Sequence, residues 1–190
     1  MSERQSSQLL PSLFDSLDED QRITVLHLGP LLPETIGFFS GLRCRLHVND
    51  LFAELPLSFK PGDELSVQQR ISELLTFPDE TRFDVCLFWD LLNYLDQEGV
   101  VALMESLRPF LAPTAMAHAF GVHNPRAPER DSRFGIVSRS EIAMRSREQK
   151  IAGYAPHSQA KLKEWLDGFE VKRSVLLAES RLELLLQTRA

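Results

Sequence analysis

Apolar runs alternate along the chain with segments whose apolar positions recur every three or four residues, the pattern of strands followed by helices. Residues 23–28 form a short β-branched run that stops at Gly29. Pro33-Glu34-Thr35 then opens a segment with helical spacing at Ile36, Phe39 and Ser40, and residues 43–48 form a second run that ends at Asn49-Asp50. The pattern predicts strand, tight loop, helix, strand. Residues 83–89, FDVCLFW, are continuously apolar in the way of a buried parallel strand covered on both faces. Asp96 stands ready to cap an amphipathic helix over residues 97–110, with Val100, Val101, Leu103, Met104 and Leu107 on its buried side. Residues 115–122 read as the next strand. Ser158 opens a further helix with Leu162, Trp165 and Leu166 inward and Gly168 as its C-cap. Two strand-like runs, 169–177 and 181–188, are joined by three residues and predict a terminal antiparallel hairpin.

Three stretches are less regular. In residues 1–22 an apolar cluster at Leu9, Leu10, Leu13, Phe14 and Leu17 fits one face of a short helix, and an acidic tail follows. This predicts a helical lead-in packed on the sheet, ahead of a single domain over residues 23–190. After Asp50 a loop punctuated by Pro and Gly leads to a helix through Val67, Ile71, Leu74 and Leu75, capped by Asp63 or Ser66. The place for a third strand is a short one at residues 57–60. Residues 123–150 break the rhythm and read as a surface loop, rich in Pro, Ser and Arg, of the kind that carries specificity on a fixed scaffold.

Composition narrows the function classes. A chain of 190 residues, 43% hydrophobic and 25% charged, is one ordinary globular domain with one substantial core. A net charge of -6 argues against a general nucleic-acid binder, which needs a large basic surface. No apolar run reaches the length of a membrane span. Cys44 and Cys86 lie inside strand-like runs, and the chain opens without a charged-then-apolar leader. Free thiols and a cytoplasmic setting are the expectation.

Four positions carry candidate chemistry. Asp50 ends the second strand about 20 residues beyond the glycine loop, where a nucleotide-ribose site in a parallel sheet needs a carboxylate; the alternative is a turn cap. Asp90 directly follows the run 83–89, at the edge where open α/β sheets bind ligands, as a ligand contact or weak base against a helix cap. His27 either faces that edge in place of a carboxylate or is a hydrogen-bonded structural residue. Gly29 gives the loop its turn. His118 and His123 lack a Cys or acidic partner at ligand spacing, so no metal site is expected. No residue stands out as catalytic.

In order of elements the chain resembles the class I S-adenosylmethionine-dependent methyltransferases, from residue 23 onward. ITVLHLGPLLPE looks like their strand and glycine loop, and FDVCLFWDLLNYLDQEGVVALMESLRPFLAPTAMAHAF is similar to their fourth strand, following helix, turn and fifth strand. Asp90-Leu91-Leu92-Asn93 stands where the amino-group methylating branch carries an Asn-Pro-Pro-Tyr type signature, which brings the chain nearer to small-molecule members. The resemblance implies an α/β, Rossmann-like three-layer sandwich with a mostly parallel, seven-stranded sheet ending in an antiparallel hairpin. It implies S-adenosylmethionine as cofactor, held along His27, Gly29, Asp50 and Asp90, and a small-molecule or protein acceptor beneath the loop of residues 123–150. Arg126, Arg130 and Arg133 of that loop suit an anionic partner. The glycine loop is degenerate: His27, Gly29, Leu31 and Pro33 occupy the positions of the family's acidic residue and three glycines. That leaves two readings, a methyltransferase or a non-catalytic binding or regulatory protein on the same fold, with a different nucleotide in the cleft as a third.

Overall fold

The computed structural model describes residues 3–18, 20–57 and 61–189. Its centre is a six-stranded sheet built from β2 (Ile23–Leu28), β3 (Cys44–Asn49), β4 (Phe83–Trp89), β5 (Leu111–Val122), β8 (Phe169–Leu176) and β9 (Arg181–Thr188), in the spatial order β3-β2-β4-β5-β9-β8. The first four of these run parallel; β9 joins β5 antiparallel and β8 joins β9 antiparallel.

Alternation along each central strand divides the core in two. Leu26 and Leu28, with Cys86 and Phe88, face helices α3 (Val67–Leu74), α4 (Gln97–Leu107) and α5 (Gln159–Trp165). Val25 together with Val85, Leu87 and Trp89 faces the other way, onto α1 (Leu10–Asp15), α2 (Pro33–Ser40) and a small second sheet. Helix starts are fixed locally. Ser66 and Gln69 form a reciprocal capping box on α3, the Asp96 carboxylate accepts from the Gly99 amide on α4 at 2.8 Å, and Ser158 caps α5. Both cysteines are free; burial pushes the Cys86 thiol up, while Cys44 is half-buried. Among the described residues no helix is long and apolar enough to cross a membrane.

Several expectations from the sequence are corrected. Among the described residues the sheet has six strands of mixed direction, not seven mostly parallel ones. After Asp50 the chain tightens into a 3-10 turn over Leu51–Glu54, which turns Leu51 and Phe52 into the core. Residues 58–60 of the expected third strand lie outside the described residues. The stretch 123–150 is not simply a loop: it contains the hairpin β6 (Ser132–Ser138) and β7 (Glu141–Ser146). The lead-in also differs, because β1 (Glu3–Ser6) precedes α1 and pairs antiparallel with β7, giving the second sheet the order β1-β7-β6. Phe134, Ile136, Ile142 and Met144 of the hairpin are buried against α1 and the large sheet.

Close approach at Gly135 seats the hairpin on α2. A Cβ there would lie 2.9 Å from Leu32 Cβ and 3.0 Å from Thr35 Oγ1, and the Ile136 amide donates to that same Thr35 hydroxyl at 3.1 Å. Gly135→Ala should therefore lower stability by about 1–3 kcal/mol through overpacking, seen as a lower urea midpoint with unchanged slope. A midpoint equal to that of the parent protein would mean that the hairpin is free to shift away from α2.

Candidate functional site

The carboxyl ends of β2, β3 and β4 meet at one edge of the sheet, the edge at which open α/β sheets bind ligands. Gly29 turns the chain out of β2 with φ +139°, a conformation that side chains rarely adopt, and its amide donates to the Asn49 carbonyl at 2.8 Å. α2 then begins at Pro33, which supplies no N–H, and Leu32 before it gives no side-chain cap. The face of Gly29 is covered: a Cβ on it would lie 3.2 Å from the Phe52 ring and 3.6 Å from Trp89.

Asp50 sits at the end of β3 and heads the 3-10 turn, with the Ala53 amide donating to its carbonyl at 3.2 Å. Partial burial pushes its carboxyl up, against the pull of the Phe52 and Ala53 amides and the Arg147 guanidinium. It lines an open groove of about 620 Å³ together with Pro30, Phe52, Arg133, Arg147 and Lys150.

Asp90 follows β4 and is buried. Its Oδ1 accepts from Arg147 at 3.1 Å. Burial pushes this carboxyl up to about 7, opposed by the adjacent Arg147. Only 5% of the Arg147 side chain is exposed, and its guanidinium lies 4.2 Å from the centroid of Phe52 and 5.6 Å from that of Tyr94, with Asp131 at 3.6 Å from Nε. Tyr94 donates to Glu129 at 2.9 Å, and Glu129 pairs with Lys150 at 3.2 Å. Glu34, in the first turn of α2, is paired with Arg145. Charged groups of the hairpin and its flanks thus close over the strand ends.

Trp89 forms the floor. It is buried with φ +52°, its ring stacks on Phe134 with centroids 5.6 Å apart and planes at 14°, and Phe120 lies on it at 6.5 Å. The Trp89 indole N–H donates to His27 Nε2 at 3.1 Å. His27 is fully enclosed, and burial lowers its pKa to about 4, so near neutral pH the ring is uncharged and accepts.

Of the residues picked from the sequence, the structure brings Gly29, Asp50 and Asp90 to one edge and sets His27 beneath it, behind Trp89. The loop arginines are spread out. Arg126 is exposed, Arg130 pairs with Glu3 at 3.0 Å, and Arg133 lies 3.9 Å from Glu148. His118 is buried with its Nε2 2.8 Å from Glu183 Oε1. Among the described residues no group of three or more His, Cys, Asp or Glu is placed to hold a metal ion. Arg147 and Phe134 are the residues at this edge that sequence reasoning missed. Their one signal is the alternation in FGIVSRSEIAMRSR, which carries both onto the hairpin or its end.

No protein-family model and no curated protein matches this sequence. Solved structures do match in fold. The Burkholderia thailandensis 1,6-didemethyltoxoflavin-N1-methyltransferase, with bound 1,6-didemethyltoxoflavin and S-adenosylhomocysteine, is 15% identical with a TM-score of 0.53, over 96% of this chain and 78% of that one. The CcbJ methyltransferase from Streptomyces caelestis is 14% identical with a TM-score of 0.53, over 95% of this chain and 94% of that one. The mitomycin 7-O-methyltransferase MmcR is 16% identical with a TM-score of 0.52, over 95% of this chain, which spans only 53% of the enzyme. At such identities the likeness is one of architecture, and it is clear: this chain is built on the fold of the S-adenosylmethionine-dependent methyltransferases.

Proposed function

We propose that this protein is a methyltransferase-fold binding or regulatory module whose own hairpin stands in the carboxyl-edge cleft, and that it does not transfer methyl groups. The observation that carries this reading is the Arg147 guanidinium on Asp90, buried between Phe52 and Tyr94. S-adenosylmethionine would need the Gly29 face bare and Asp90 within reach. Here Phe52 and Trp89 cover the first, and Arg147 takes the second. The Asp50 end stays open to a groove, so the cleft accommodates a ribose better than the amino-acid end of the cofactor. As arranged, these residues do not fit the whole molecule. A cytoplasmic setting accompanies the reading, supported by the free thiols of Cys44 and Cys86.

The second reading is an S-adenosylmethionine-dependent methyltransferase for a small molecule or a protein group. The fold and the open groove at Asp50 favour it, and it requires the hairpin to withdraw so that Gly29, Asp50 and Asp90 line the cofactor.

Titration decides between them. Calorimetry and thermal melting with S-adenosylmethionine and S-adenosylhomocysteine at millimolar concentration should show no heat and no shift. A ligand at a hundred times its Kd stabilises the native state by about 2.7 kcal/mol, so a saturating rise in Tm would overturn the first reading in favour of the second.

A further inference from the structure

Arg147 is an arginine in a place that normally excludes one. Lys and Arg are almost never fully buried unless they are paired, and this side chain is met by four groups from three separate segments: Asp90 and Tyr94 after β4, Phe52 from the turn after β3, and Asp131 before β6. A carboxylate set beside two aromatic rings in a water-poor site is a receptor for an organic cation, because the ring faces and the carboxylate attract the same charge. The hold on Arg147 itself is slight on the backbone side. β7 ends at Ser146, the Arg147 amide makes one bond, to the Asp131 carbonyl at 3.0 Å, and the next residue, Glu148, is exposed.

We propose that Asp90, Phe52 and Tyr94 form a binding subsite for a small organic cation of the guanidinium, ammonium or sulfonium class, and that Arg147 is its tethered occupant. The inference deepens the closed-cleft reading above: the cleft is closed by a group that imitates a ligand, on a segment that leaves the sheet one residue earlier. The one backbone hydrogen bond of the Arg147 amide lies outside the β6–β7 ladder, which ends at Ser132 and Ser146, so a displaced side chain gives up its bond to Asp90 without unpairing the two strands. A free cation and Arg147 therefore compete for one place.

Chemical rescue tests this. Arg147→Ala should melt several degrees below the parent protein, and methylguanidinium at millimolar concentration should recover part of that loss, with sodium chloride at the same ionic strength as the control. The parent protein should gain nothing, and neither should the double variant Arg147→Ala, Asp90→Asn. Rescue that sodium chloride reproduces, or that survives in the double variant, would overturn the subsite. So would Arg147→Ala melting like the parent. If Arg147→Ala does not fold, Arg147→Lys and Arg147→Met decide. A cation subsite makes Lys the better replacement, whereas a role in packing alone makes Met at least as good and sinks the proposal. Binding of S-adenosylmethionine to the parent protein would refute the closed-cleft reading, while the rescue comparison still judges the subsite by itself.

Discussion

Glu183→Ala should cost about 3–5 kcal/mol, the range for removing one partner of a buried charged pair, and should appear as a large fall in the urea midpoint. Glu183 is fully enclosed in β9. His118 Nε2 lies 2.8 Å from its Oε1, the Ser7 hydroxyl donates to the same oxygen, and the Gln8 amide donates to Oε2 at 3.0 Å. Alanine would strand the His118 ring and the Ser7 hydroxyl away from water. It would also cut the tie between the segment after β1 and the large sheet. Burial by itself pushes the Glu183 carboxyl up, but its hydrogen bonds to His118, Ser7 and Gln8, with the charge of His118, overcome this and hold it below its ordinary value. A carboxyl depressed in the folded state contributes stability above its unfolded pKa, about 4.3, and loses it as pH falls through the folded value. Glu183→Gln should therefore remove part of the acid-side fall in Tm. A urea midpoint for Glu183→Ala within the error of the parent protein would show that the cluster is dispensable.

Trp89→Ala should be of similar size, about 3–5 kcal/mol for a large aromatic truncated in a packed core. The indole fills the junction of β4, the hairpin and β5, stacked on Phe134 and Phe120, and it is the donor to His27. Its loss leaves a cavity beneath the hairpin and an acceptor without its donor in a closed space. Part of the cost is returned if alanine relaxes at φ +52°, a backbone setting disfavoured for bulky side chains. Urea denaturation followed by the fluorescence of the remaining Trp165 measures it. A loss below about 1 kcal/mol, the usual effect of an ordinary substitution, would mean that the hairpin is held by its other contacts.

The parts of the fold that were legible are those written in consecutive residues. FDVCLFW is a strand to the residue, and the end of that run places Asp90 at the sheet edge without any tertiary information. Asp50 followed in the same way from the end of β3. The side of His27 was ambiguous because a buried parallel strand is apolar on both faces, so only packing shows that His27 points to Trp89. β1, Glu-Arg-Gln-Ser, has no apolar residue; its strand character comes from pairing with β7 alone. In the hairpin, Phe134, Ile136, Ile142 and Met144 do alternate, but Arg133, Arg139, Arg145 and Arg147 stand among them, and their charge reads as solvent exposure. The burial of Arg147 depends on Asp90, 57 residues earlier, and no local pattern expresses such a relation.

The pairing of β1 with β7 also bears on how the protein is made. Arg4 meets its partner Glu141 across 137 residues. At a synthesis rate of about 5–20 residues per second, the earlier strand waits roughly 7–27 seconds for the later one to be synthesised. By then β2 through β5, the parallel strands, have all been translated. The hairpin therefore settles on a sheet half already in being, and β1, made before all the other strands, is among the last to find its neighbour.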